Sequence, residues 1–125
     1  MSTRVLTVMF TDIKGFTERT SSTSREGLRE LLTIHEDLLL PVTAQFGGRL
    51  VKTIGDALLV TFTSPTNAVL CGLEMQRTLQ DWNKQRPAPE RITIRVALSA
   101  GEVEERDADV FGEAVNIAAR VEGVT

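Results

Sequence analysis

Apolar and polar positions change period along the chain, and each change marks an element. Residues 5–11 alternate loosely and read as a buried strand. From Leu28 onward, Leu31, Leu32, Leu38, Leu39, Val42 and Phe46 recur at helical spacing. Thr23 with Glu26 three residues later has the form of a capping box for that helix. Pro41 removes one backbone donor and is expected to kink or split it, and Gly47-Gly48 ends it. Residues 15–24, rich in Ser and Thr, read as a turn.

Two β-rich runs, 49–54 and 57–62, flank Gly55-Asp56, a two-residue hairpin signal. Ser64-Pro65 reads as an N-cap and first-turn proline. The helix it opens runs to about Trp82, with Ala68, Cys71, Met75, Leu79 and Trp82 on one stripe. Residues 83–91 hold two prolines and read as a loop. Residues 92–103 read as a long strand, 104–109 as an acidic turn, and 113–122 as a last helix with Ala114, Ile117, Ala118 and Val121 facing inward. The order is β-α-β-β-α-β-α. Its first six elements match the split βαβ, ferredoxin-like pattern of the α+β class: an antiparallel sheet with helices on one face.

Composition narrows the function. With 125 residues, 42% apolar and 25% charged, the chain fits one globular domain, residues 1–125. A net charge of −3 offers nothing to nucleic acid or an anionic membrane. No apolar run reaches the ~18 residues of a membrane span, and no secretory leader is visible. The single Cys71 cannot form an internal disulfide, so a cytoplasmic setting is expected.

The chemistry-bearing residues lie in three blocks: 8–17, 47–56 and 109–120. Asp12 follows a nearly all-apolar strand, and Asp56 sits at the hairpin tip. Two carboxylates at strand ends of one sheet suit divalent metal, and a two-metal site spaces its ions ~3.5–4 Å apart. The bland reading is a turn cap and a good hairpin residue. Lys52 lies among apolar strand neighbours. Alone it is as well explained as a solvated edge lysine. With Asp109 it makes a donor-only and acceptor-only pair, which complements the ring nitrogen and amine of adenine and mismatches guanine. Asn116 and Arg120, at i and i+4, share a helix face with Glu113 beside them. They are either a surface pair or an amide and guanidinium poised at a phosphate. Arg95 is a further phosphate ligand or a strand arginine with a structural partner. His35 reads as a surface or boundary residue, and Cys71 as core filler.

Those blocks resemble the catalytic domain of class III nucleotidyl cyclases, the adenylate and guanylate cyclases, from about Arg4 to Glu122. The resemblance implies that Asp12 and Asp56 hold two Mg²⁺ or Mn²⁺ ions, Lys52 and Asp109 select adenine, Asn116 and Arg120 serve the transition state, and Arg95 holds triphosphate. It implies conversion of ATP to cyclic AMP and pyrophosphate by a head-to-tail homodimer. One copy supplies the metal aspartates and its partner supplies the base-selecting and transition-state residues. Family members continue past the last helix with further strands, so a domain truncated at its C-terminus is expected. A catalytically silent interaction module and a guanylate cyclase are the alternatives. A diguanylate-forming relative lacks its Gly-Gly-Asp/Glu-Glu-Phe block here.

Overall fold

Strand β1 (Ser2–Ile13) is the axis of the molecule, buried from Leu6 to its end. The computed structural model describes residues 2–124, with side chains described for 2–121. After β1 come α1 (Phe16–Ser22), α2 (Arg25–Gln45), β2 (Arg49–Ile54), β3 (Ala57–Phe62) and α3 (Pro65–Asn83). A 3₁₀ turn at Ala88–Glu90 leads to β4 (Ile94–Arg106), β5 (Asp109–Phe111) and α4 (Glu113–Val124). The sheet order is β2-β3-β1-β4-β5, and every pairing is antiparallel. The first four strands have the expected ferredoxin-like topology.

The two faces of the sheet carry separate cores, as the two-residue period of β1 dictates. Met9 and Ile13 point to one face, where they pack with Leu39 and Val42 of α2 and with Met75 and Leu79 of α3. Leu6, Val8 and Phe10 point to the other, where Ala114 and Ala118 of α4 cover them. Phe62, 1% exposed, anchors the first core, and burial of such a side chain is worth ~1.5–3 kcal/mol. Trp82 packs at that core's margin, and Cys71 is buried within it.

Several expectations need correction. Residues 16–22 form α1 rather than a turn, although no α1 residue is buried. The cap of α2 is Ser24, whose hydroxyl accepts from the Gly27 amide at 3.1 Å, so Thr23 does not open it. Pro41 does not split α2, because it lies on the exposed side. Asp37, whose carbonyl loses the Pro41 donor, is exposed as well, so solvent can take that donor's place. The acidic turn is in fact the end of β4, a two-residue turn and β5. Asp107 and Ala108 both have positive φ, 53° and 60°, as a type I′ hairpin turn requires. Ile117 and Val121 are 37% and 42% exposed, so of the four residues expected to face inward only Ala114 and Ala118 are buried, with Val115 and Ala119 packed partly beside them. His35 is 1% exposed, with neither ring nitrogen hydrogen-bonded among the described residues. Burial lowers its pKa, opposed in part by the charge of Asp56.

Candidate functional site

Strand register places most candidate residues on the face that α4 covers. Asp12 and Arg95 are direct cross-strand partners on β1 and β4. Lys52 pairs with Leu59, which pairs with Phe10, two residues from Asp12 on the same side of β1. The sheet coils strongly toward this face, because strands from its opposite edges meet there. Lys52 on β2 donates to Asp109 Oδ2 on β5 at 2.8 Å. Nearby, Glu105 on β4 accepts from both Arg4 and Arg49, at 2.8 and 2.9 Å, tying β1, β2 and β4 together.

Gly112 makes the entry into α4 possible. Its φ is +141°, and a Cβ there would lie 2.9 Å from the Glu102 carbonyl oxygen. Only glycine permits that approach. The helix therefore starts tight against β4 and carries Asn116 and Arg120 outward.

Asp12, Asp56 and Arg95 line one cavity of about 390 Å³ with Ile13, Lys14, Gly15, Phe16, Thr17 and Glu18. Asp56 Oδ2 accepts from the Ile13 amide at 2.7 Å, which fastens the β2–β3 tip to the end of β1. Both Asp12 oxygens are held by Arg95, through Nε at 3.0 Å and a terminal guanidinium nitrogen at 2.8 Å. Lys14 and Glu18 were not singled out from the sequence. Lys14 lies within the 8–17 block and Glu18 just past its end, and nothing in their spacing distinguishes a cavity wall from a solvated loop.

The Lys52–Asp109 pair is half open, with side chains 43% and 28% exposed. The Lys52 hydrogen bond, and after it the Val110 amide at 2.8 Å, hold the Asp109 carboxyl below its usual range. Asn116 and Arg120 are exposed on α4 and lie outside the Asp12 cavity. Arg120 reaches Glu113 at 3.3 Å, an exposed contact worth little. The structure thus brings together Asp12, Asp56 and Arg95, and separately Lys52 and Asp109, and leaves the α4 pair facing solvent.

The donor set at Asp12 and Asp56 is hard oxygen, which fits Mg²⁺ or Mn²⁺. Among the described residues no three or more His, Cys, Asp or Glu side chains gather around a common point. Two carboxylates with an open cavity still suit magnesium, which keeps water and takes substrate phosphates as ligands. Among the described residues no helix is long and apolar enough to cross a membrane.

The five-stranded antiparallel sheet with α4 over its second face is a fold shared with solved nucleotidyl cyclase domains. The family model for the adenylate and guanylate cyclase catalytic domain matches residues 2–125, and the chain belongs to that family. The serine/threonine-protein kinase pkn2 of Myxococcus xanthus is 48% identical over 119 residues, 95% of this chain and 14% of that protein. The adenylate cyclase of Streptomyces coelicolor is 36% identical over 124 residues, 99% of this chain and 31% of that protein. The chain therefore spans less than a third of either relative. The solved adenylate/guanylate cyclase/hydrolase from Silicibacter pomeroyi superimposes with a TM-score of 0.89 at 32% identity, covering 99% of this chain and 72% of that one.

Proposed function

We propose that residues 1–125 belong to one cyclase domain that acts as an adenylate cyclase, converting ATP to cyclic AMP and pyrophosphate in the cytoplasm. The observation that carries the choice of ATP is the 2.8 Å contact between Lys52 and Asp109. A donor-only and an acceptor-only side chain converge from opposite sheet edges, half exposed and free to open onto a base. Adenine presents an acceptor at its ring nitrogen and a donor at its amine, so this pair reads it and rejects the reversed pattern of guanine.

Asp12 and Asp56 would hold two divalent ions. Bound there, Mg²⁺ or Mn²⁺ supplies Lewis-acid charge to phosphoryl oxygens. Arg95, in the same cavity, would bind triphosphate oxygens in a forked, charge-assisted contact. Reaction joins the ribose 3′-oxygen to the α-phosphorus and breaks the bond to the pyrophosphate oxygen, with loss of the hydroxyl proton. Negative charge grows on the phosphoryl oxygens as that happens. Arg120 would neutralise it, and Asn116 would orient the ribose. In one chain these two residues project to solvent away from the Asp12 cavity, so the reading calls for a second, head-to-tail copy to present them. A C₂ pair then has two equivalent sites.

The test is product formation from ATP and from GTP, each with Mg²⁺ and with Mn²⁺, resolved by chromatography. The reading predicts cyclic AMP in clear excess, dependent on metal. Cyclic GMP in excess would assign the guanylate reaction. Nucleotide binding without either product would assign a silent module.

A further inference from the structure

A second cavity, of about 540 Å³, shares helix α1 with the Asp12 cavity. Phe16, Thr17 and Glu18 of α1 line the Asp12 side, and Arg19 and Ser22 line the other. The floor of the second cavity is apolar: Leu31 and Ile34 of α2, Trp82 of α3, and Ile92. Asn83 accepts from the Ile92 amide at 2.9 Å and donates to the Ile92 carbonyl at 2.8 Å, which pins the segment before β4 to the end of α3. Two guanidinium groups stand over this floor. Arg86 lies above the Trp82 ring, 4.3 Å from its centroid. Arg19 is half-buried and gives a hydrogen bond to the Arg91 carbonyl, out of five N–H donors. Among the described residues neither Arg19 nor Arg86 forms a salt bridge. Glu30 and Glu90 also line the cavity, but both are exposed, so water screens them more than it screens Arg19.

We propose that this cavity is a regulatory site for a small planar aromatic carboxylate. The ring covers the apolar floor beside Trp82, and the carboxylate takes N–H donors that Arg19 and Arg86 leave unused. A guanidinium matches a carboxylate through two parallel, charge-assisted bonds. The volume lies in the ~300–1,000 Å³ range of small-molecule sites. A bare anion would leave the floor wet, and an uncharged ring would leave the half-buried Arg19 without a counter-ion. Regulation follows from the place of α1. That helix buries none of its residues, so few contacts hold it. A ligand joining Arg19 to Arg86 tethers α1 to the end of α3, and the steadied segment runs directly into the wall of the Asp12 cavity. A wall that one ligand has already ordered costs the next ligand less, which is positive coupling. This second site needs neither metal nor nucleotide, so it goes beyond the cyclase reading and does not depend on it.

The experiment uses naphthoate as the probe. The chain has one tryptophan, so the Trp82 indole N–H gives a single nuclear magnetic resonance signal to follow. Naphthoate should move that signal saturably, with a Kd of about 1 mM, the range of a fragment of its size. Naphthylmethylammonium carries the same ring with the opposite charge, and acetate carries the charge without the ring. Each should bind more weakly by about tenfold or more. Arg19→Gln and Arg86→Gln should each weaken naphthoate by about threefold or more, the discounted value of a half-open charged contact. Glu90→Gln should tighten it, because an opposing charge is removed. Saturating naphthoate should slow amide hydrogen exchange across residues 14–22 by about fivefold or more in the wild-type chain, and not in Arg19→Gln. The site is overturned by the lack of a saturable shift, or by equal affinity for naphthoate and naphthylmethylammonium. Unchanged affinity in both arginine variants overturns the pairing of carboxylate with guanidinium. Naphthoate that binds without slowing exchange at residues 14–18 overturns the coupling to the Asp12 cavity.

Discussion

Replacing Asp56 separates two tasks that one carboxylate performs. Its Oδ2 accepts from the Ile13 amide at 2.7 Å, joining the β2–β3 tip to the end of β1, and its charge faces the Asp12 cavity. Asp56→Asn keeps an acceptor oxygen and loses the charge. Asp56→Ala loses both. An unsatisfied donor costs ~1–3 kcal/mol, and the part-buried, water-facing setting puts this one at the low end, ~1–1.5 kcal/mol. Unfolding entropy of ~2.1 cal/mol/K per residue makes 1 kcal/mol worth about 4 °C in a domain of this size. Asp56→Ala should therefore lower Tm by about 4–6 °C, and Asp56→Asn by less than about 2 °C. Both should lower cyclic AMP formation by ~10²–10³ or more, since both remove charge that holds the electrostatic stabiliser of the reaction. Calorimetry and turnover on the same samples decide it. Near-normal turnover in Asp56→Asn refutes the metal role. Equal losses of Tm in the two variants refute the hydrogen-bond reasoning.

Two further predictions concern other residues. Lys52→Glu with Asp109→Cys should shift kcat/KM from ATP toward GTP by about tenfold or more, as each unpaired group costs ~1–3 kcal/mol. Stability should change little, because the pair is half exposed, and an unchanged ATP/GTP ratio removes these side chains from base reading. Burial depresses the His35 pKa in the folded state, so below the ordinary imidazole value of ~6.5 the unfolded chain takes up a proton that the folded one resists. The stability of the wild-type chain is then full above that pH and falls as pH drops from about 6.5 toward the folded-state pKa. Urea melts at high and low pH should show a smaller loss in His35→Leu, and equal losses would contradict the burial argument.

The sequence was readable where side chains repeat a pattern and silent where backbone alone makes the structure. Strands β2 and β3 appear at their expected bounds, because their β-rich composition and Gly55-Asp56 both mark them. Strand β5 was missed because its turn uses Ala108 at φ 60°, where a glycine or asparagine would have signalled it. Helix α1 was missed because it buries nothing and so has no apolar stripe. Helical period puts Ile117 and Val121 inside, yet α4 turns Ala114 and Ala118 to the sheet, with Val115 and Ala119 at the margin of that contact. His35 was placed at the surface because a lone histidine gives no periodic cue. At the site, the residue types were legible, but their pairing was not. That Lys52 reaches Asp109 follows from the coil of the sheet, and that Arg95 grips Asp12 follows from register. Neither is written in spacing along the chain.

Complementation between two inactive variants tests the central claim most directly. Asp56→Ala removes the carboxylate half of a site, and Arg120→Ala removes the α4 half, which projects away from the Asp12 cavity of its own chain. In a head-to-tail homodimer each variant alone breaks both sites. A mixed dimer gathers both lesions into one site and leaves the other whole. Equimolar mixing under conditions shown to exchange subunits should recover up to about one quarter of wild-type cyclic AMP formation, because half the pairs are mixed and each has one intact site. The recovery should rise with total protein concentration. No recovery under those conditions would contradict a site built from Asp56 of one copy and Arg120 of the other.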